Sequence, residues 1–341
     1  MASAVGTVGR FVILGDLEAS GGVEREHNIQ WCAIDDPTDW PTPGSADAQG
    51  KQAGLQQLNK SFGSVTGIWG GDQYGIVLQQ GGMTRMTYIG GDVVWQFDEF
   101  SKTHGCICPN ASIMINDVLY FPSQAGFVAT NGAEIVPIGK DKVDDWFFGL
   151  FDTAQRNRMY VAHDPRNKLI VWNFASTAAT GGQPDYLLFY SYEDNRWSYA
   201  VEDSEVLFNS PMGIPLPQVY AFDPSTYEIS TFTGTPQGNG NALLTTGEYE
   251  LNPGGRSLVQ GIKPLVQWAT VQGTMTVAIG SRNDQDASDV SFSSESTPNA
   301  RTTFSAFRDN ARYHRARITI SSGSWDSATG LEIQARKMGA L

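Results

Sequence analysis

Residues 112–132, SIMINDVLYFPSQAGFVATNG, decide the fold class. Ser112 to Ile115, Val118 to Phe121 and Gly126 to Ala129 are short apolar or alternating runs, and Asn116-Asp117 and Asn131-Gly132 close two of them. Asn, Asp and Gly tolerate the positive φ that tight hairpin turns demand, whereas β-branched and aromatic residues favour the pleated strand between turns. The stretch therefore reads as consecutive antiparallel hairpins.

The same device recurs on both sides. Upstream lie Phe11 to Leu14, Gly75 to Gln79, Arg85 to Ile89 and Val93 to Phe97, punctuated by Gln80-Gly81-Gly82 and Gly90-Gly91-Asp92. Downstream, Met159 to Ala162 and Leu169 to Asn173 flank His163-Asp164-Pro165-Arg166-Asn167, and Tyr186 to Tyr192 and Trp197 to Ala200 flank Glu193-Asp194-Asn195-Arg196. An internal echo links residues 163–172, HDPRNKLIVW, to residues 222–232, FDPSTYEISTF. In each, Asp caps a turn, Pro fixes φ and a strand follows that carries an aromatic. Small antiparallel sheets repeated every ~40–50 residues indicate a β-propeller, with a stacked sandwich as the competing arrangement.

Composition agrees with an all-β chain. The 341 residues include 37 Gly and 16 Pro, with 11% aromatic and only 17% charged side chains, which suits short strands and tight turns better than long surface helices. Helix signals are local: Ser45 to Asn59, rich in Ala and Gln, and Lys142 to Phe151. Gly, Pro and Asn cluster at residues 233–242 and 252–256, and beyond them the period is two. Met275, Val277 and Ile279 share a face, as do Ala316, Ile318 and Ile320 against Arg315, Arg317 and Thr319, and Leu331, Ile333 and Ala335 repeat the pattern. These features predict a propeller-like body over residues 1–245 and a C-terminal β-sandwich over 246–341.

A net charge of −13, from 36 acids against 23 Lys plus Arg, repels phosphate and argues against a nucleic-acid reader. It suits a channel wall past which DNA slides, and equally plain solubility. Three Cys make no disulfide framework. The opening residues carry no basic segment leading into a long apolar run, and no stretch approaches the ~18 apolar residues of a membrane span, so neither a secretion signal nor a membrane anchor is expected.

Motifs for chemistry are sparse. His27, His104, His163 and His314 share no catalytic spacing, and there is no Gly-x-Ser-x-Gly elbow, phosphate-cradling loop or His-Glu-x-x-His helix. Strand alternation would put His104, Cys106 and Cys108 on one side, with Cys32 as a distant fourth donor. That spacing is poor for zinc, and buried thiols are the simpler reading. Acids at Asp35, Asp36, Asp39, Asp144 and Asp145 read as turn formers and caps, although a glycosidase pair on a propeller is conceivable. Trp and Tyr read as core, with sugar stacking as the alternative. Arg308, Arg312, His314, Arg315 and Arg317 form the only basic concentration, a solvated strand face, an interface with an acidic neighbour, or a phosphate contact.

Several segments resemble structural proteins of the tails of short-tailed and related bacteriophages, the hub or nozzle type. The stretch Ile29 to Trp40, IQWCAIDDPTDW, is similar to that group's Trp-Ser-x-x-Asp-x-Pro-x-x-Trp motif. It is followed by Gly67-Ile68-Trp69-Gly70-Gly71 and by Tyr74-Gly75-Ile76-Val77. Gly105-Cys106 with Pro109-Asn110-Ala111-Ser112 resembles its Gly-Cys-x-x-Pro-x-Ser stretch, and Gly280-Ser281-Arg282-Asn283 and residues 312–317, RYHRAR, resemble its closing sandwich. The resemblance implies a propeller-like body with an appended β-domain, arranged as a homohexameric ring in the virion tail and assembled in the cytoplasm of the bacterial host. It further implies an adaptor, stopper or portal-proximal protein above, a fibre or spike below, and DNA passing through without specific binding. On this reading the chain is expected not to be an enzyme, with no catalytic, cofactor-binding or metal residues. The alternative is a carbohydrate-binding or glycan-cleaving propeller acting at the host surface.

Overall fold

The computed structural model describes residues 1–19, 23–91, 93–210, 218–224, 226–231, 242–268, 273–284, 290–321 and 325–340. The chain divides into two compact units, Met1–Thr233 and Gly234–Leu341. No helix among the described residues is long and apolar enough to cross a membrane.

The first unit is a propeller-like succession of five antiparallel sheets, each built from strands adjacent in sequence. Sheet 1 holds β1 (Ala2–Val8), β2 (Phe11–Ala19), β3 (Val23–Trp31) and β4 (Gly54–Gln57). Between β3 and β4 runs the helix α1 (Ala46–Gly50). Sheet 2 holds β5 (Val65–Gly70), β6 (Tyr74–Gln79), β7 (Met83–Tyr88) and β8 (Trp95–Ser101). Sheet 3 holds β9 (Ile113–Ile115), β10 (Val118–Ser123), β11 (Gly126–Thr130) and β12 (Ile135–Pro137), and the helix α2 (Asp144–Leu150) follows. Sheet 4 holds β13 (Tyr160–Asp164), β14 (Leu169–Phe174), β15 (Tyr186–Ser191) and β16 (Arg196–Val201), and sheet 5 holds β17 (Val206–Ser210), β18 (Gln218–Asp223) and β19 (Glu228–Thr231).

Turn chemistry sets these registers. Ile115 pairs with Val118, so Asn116 and Asp117 form a two-residue hairpin turn with φ of 49° and 63°. Only a turn with both central residues in the left-handed region matches the strands' twist at this loop length. The echoed segments also fold alike. Asp164 pairs with Leu169 and Asp223 with Glu228, and Lys168 and Tyr227 take φ of 57° and 60° at the same place in their turns. The Asp164 carboxylate accepts the backbone N–H of Arg166 at 3.0 Å.

Each sheet packs on its neighbour in sequence. Phe11, Ile13 and Ile29 of sheet 1 meet Ile68, Val77 and Met86 of sheet 2. Ile76 and Leu78 meet Leu119, Phe121 and Val128 of sheet 3. Phe127 of sheet 3, Phe147 of α2, and Trp172 and Phe174 of sheet 4 form the largest cluster. Val171 and Leu187 of sheet 4 meet Leu207 and Val219 of sheet 5. Phe127 lies edge-on to Phe147 at 4.9 Å and to Trp172 at 5.2 Å, the arrangement favoured by aromatic quadrupoles.

The helix expected over Ser45 to Asn59 is only one turn long. Ser45 Oγ caps it by accepting the Ala48 N–H, but the chain leaves the helix at Lys51 and becomes β4, paired with β3. Gly54 explains the change: a Cβ there would lie 2.5 Å from the Trp31 ring, so the backbone is drawn against that indole as a strand. The expected helix at Lys142 to Phe151 is present as α2.

The second unit is a β-sandwich. One sheet has β20 (Ala242–Thr245) and β21 (Tyr249–Glu250) on one side of β25 (Tyr313–Ile320), with β23 (Met275–Arg282) on the other. The second sheet is β24 (Ser305–Ala311), β22 (Gly255–Trp268) and β26 (Trp325–Ala340). Val277, Ile279 and Ala316 from the first sheet meet Val259 and Ile262 from the second. On β25, Ala316, Ile318 and Ile320 are buried and Arg315, Arg317 and Thr319 are half-exposed, the alternation expected of a strand with one buried face. The segment 233–241 lies outside the described residues, and β20, within the body on the 1–245 division, pairs with β25.

Candidate functional site

The first strands of sheets 1 to 4 contribute to one open cavity. Residues 3–7 of β1, residues 66–70 of β5, Ser112 and Met114 beside and on β9, and Tyr160 of β13 line a funnel of about 770 Å³. On β1 the period of two decides what faces it: Ser3, Val5 and Thr7 are exposed, whereas Ala4 and Val8 are buried in the core. Gly6 lets β1 approach β5, because a Cβ there would stand 2.4 Å from the Ile68 carbonyl oxygen.

The lining is without Lys or Arg and rich in hydroxyl and amide groups. Asn110 and Asn116 add amides, and Trp69 Nε1 donates to Ser112 Oγ at 2.9 Å, which fixes the indole plane at the wall. Asp117 is the single charged side chain of the lining, carried on the β9–β10 turn. A smaller depression of about 420 Å³ adjoins it, sharing Met114 and Asp117 and adding Gly71, Asp72, Gln73 and Tyr74. Tyr74 is held in place by donating to the Asn131 carbonyl at 3.0 Å and by Arg85, whose guanidinium lies 4.5 Å from its ring centre. Two carboxylates, Asp72 and Asp117, thus share one depression.

The residues singled out in the sequence sit elsewhere. His104, Cys106 and Cys108 lie in a loop, and strand alternation does not apply to them. His104 Nδ1 contacts Ser101 Oγ and Thr103 Oγ1, and Cys106 and Cys108 belong to different core clusters. Burial pushes the Cys106 thiol up to about 12 and the Cys108 thiol well above its ordinary range. Cys32, Cys106 and Cys108 are free and buried, and no group of three or more His, Cys, Asp or Glu fit to hold a metal occurs among the described residues.

The acids of residues 35–39 shape a turn. Asp36 Oδ1 accepts from the Thr38 hydroxyl at 2.7 Å and its N–H at 3.0 Å, and these bonds hold its carboxyl below the usual range. Arg10 pairs with Asp35, and Lys51 bridges Asp39 at 2.8 Å and Asp47 at 3.1 Å. The basic group of the sandwich is dispersed. Arg312 meets Glu250 at 2.7 Å, Arg317 covers the Phe292 ring at 3.8 Å, and Arg315 donates to the Thr246 carbonyl. His314 is buried, with Nε2 2.9 Å from Ser257 Oγ and Nδ1 3.0 Å from Asp309. Ser257 and His314 are each 1% exposed, so the hydroxyl and imidazole of this Ser, His and Asp set lie inside the sandwich, away from solvent.

Sequence reading missed the funnel. Its walls are small residues on short strands from separate sheets, and the one local signal was the alternation of Ser3, Val5 and Thr7.

No protein-family model matches this chain, and no curated protein does. Among solved structures it is similar to an exo-β-1,3-galactanase from Phanerochaete chrysosporium determined with galactose, at 10% identity and a TM-score of 0.30, over 97% of this chain and 94% of that one. It is similar also to a glycoside hydrolase, at 10% identity and a TM-score of 0.28, over 97% and 83%, and to an apocarotenoid oxygenase from Synechocystis, at 9% and 0.28, over 67% and 53%. Likenesses this distant assign no activity. The expectation that the chain is not an enzyme is withdrawn: glycoside hydrolases stand among the structures it is similar to, and the missing motifs do not decide the question. Two carboxylates set at a fixed separation across a bond need no sequence motif, so missing motifs leave cleavage open.

Proposed function

We propose that this chain is a bacteriophage tail subunit whose propeller-like body engages a neutral, hydroxyl-rich ligand, a saccharide of the host surface, in the funnel. The lining carries the reading of the ligand: hydroxyls and amides to bond sugar hydroxyls, the Trp69 ring for the apolar face of a sugar, and no Lys or Arg to draw phosphate. Asp72 and Asp117, in the adjoining depression, are the residues on which glycan cleavage would depend.

The tail assignment is supported by the ordered resemblance of residues 29–40, 67–77, 105–112 and 280–317 to tail hub and nozzle proteins. Several of these residues hold the scaffold together. Trp31 Nε1 donates to the Gln52 carbonyl, Trp40 Nε1 to the Pro37 carbonyl, and Gly105 packs where a Cβ would be 2.2 Å from the Gln79 oxygen. In the tail the subunits form a ring, six copies on the pattern of the resemblance, between an adaptor above and a fibre or spike below, and the acidic surface leaves exiting DNA unbound.

A glycan array followed by calorimetric titration tests the ligand. Binding is expected for the wild type and weakened at least tenfold by Trp69→Ala. Retention of full affinity in that variant removes the funnel from consideration. Incubation of the bound glycan with wild type and with Asp117→Asn then separates binding from cleavage. Assignment of the chain in a virion map tests the tail location.

A further inference from the structure

The two units differ sharply in charge. Residues 1–233 carry 27 Asp plus Glu against 13 Lys plus Arg, a net of −14, whereas residues 234–341 carry 9 against 10, a net of +1. Copies of the body repel one another, and the sandwich is the part of the chain that another body tolerates.

The sandwich has an apolar groove of about 540 Å³ between the β20–β21 edge and β26, with Leu244, Tyr249, Leu251, Ile318, Leu331 and Ile333 in its wall. Leu244 and Tyr249 are 38% and 42% exposed, and Leu243 beside them is 64% exposed. Leu331 and Ile333 point into the groove from β26, whose following residues Arg336 and Lys337 are exposed and whose paired partner is β22 alone among the described residues.

The body offers a matching strip. β16 is the outer strand of sheet 4, bonded only to β15 among the described residues. Tyr199 and Val201 are 56% and 65% exposed on it, and Glu202 and Asp203 follow directly, both exposed. An apolar pair followed by two acids on β16 complements an apolar groove followed by two bases on β26. An outer strand with free backbone groups is also a ready-made docking element.

We infer that the groove of one copy receives β16 of a second copy, with the positive end of β26, where Lys337 shares the face of Leu331 and Ile333, toward Glu202 and Asp203. The patches are different surfaces of the chain, so the contact is heterologous and propagates around a ring or along a filament. The inference deepens the assembly part of the reading above and rests on it. The two fail separately: a virion map reads the tail location whether or not this contact forms.

Cross-linking between two single variants tests the contact. The native thiols are buried and leave little background. Leu244→Cys and Val201→Cys proteins, each with the melting temperature of the parent, are mixed under mild oxidation. A mixed disulfide dimer is expected in the mixture, at least tenfold above the homodimers either variant gives alone. Arg336→Glu with Lys337→Glu, added to the Leu244→Cys protein, is expected to reduce it severalfold, and Glu202→Lys with Asp203→Lys on the Val201→Cys protein to restore it. Absence of the mixed dimer, equal yields of homodimers, or a yield indifferent to charge reversal overturns the inference.

Discussion

Asp144 joins α2 to sheet 3. Its Oδ1 accepts the Phe127 N–H at 3.0 Å, and its carboxyl packs where a Cβ on Gly126 or Gly139 would collide with it. Burial raises its pKa above the ordinary 3.8, with the charges of Asp145 and Asp141 adding to the effect. An acid whose folded pKa is raised favours the folded state most when protonated, so its contribution grows as pH falls from neutrality through the raised value and is complete below about 3.9. The wild type is therefore expected to gain melting temperature relative to Asp144→Asn as pH falls from 7 to about 4, measured by thermal denaturation of both. Cys106 provides a second check at this scale. With its thiol at about 12, alkylation at pH 8 is expected only upon unfolding, as mass spectrometry of native and denatured samples would read.

The β9–β10 hairpin and α1 show how far an element is legible from sequence. Asn116-Asp117 announced its turn because side-chain type alone permits positive φ at two successive positions. Asn116→Val is expected to cost about 1–2 kcal/mol by denaturant unfolding, and Asn116→Gly much less. Residues 45–59 misled because Ala and Gln favour a helix locally, whereas the contact that makes β4 a strand is with Trp31, distant in sequence. His104, Cys106 and Cys108 misled likewise, since alternation holds only on a strand. The funnel was not legible because its walls are assembled from four sheets. Several of its residues were marked, each for another reason: Asn116-Asp117 as a turn, and residues 67–70 and 109–112 as parts of the resemblance.

At the scale of the molecule, the clusters around Trp172 and around Val277 belong to separate units. Trp172→Ala, which empties the largest fully buried side chain among the described residues, is expected to cost the body about 3–5 kcal/mol while leaving the sandwich transition in place, as calorimetry of wild type and variant would show. Added salt is expected to raise the melting temperature of the body more than that of the sandwich, because a net of −14 gains more from screening than a net of +1. The hairpin chemistry that betrayed the fold class is local, and so could be read from the sequence; charge segregation was equally open to counting, but only the division of the chain gave it meaning.

Every sheet of the body rests on the one next to it in sequence, so tension applied at the ends of that unit reaches the interior one interface at a time. An optical trap pulling on it should record a staircase of releases, each the length of one blade, in place of a single rip. A body built in this way holds its inner sheets under load for as long as its outer ones remain.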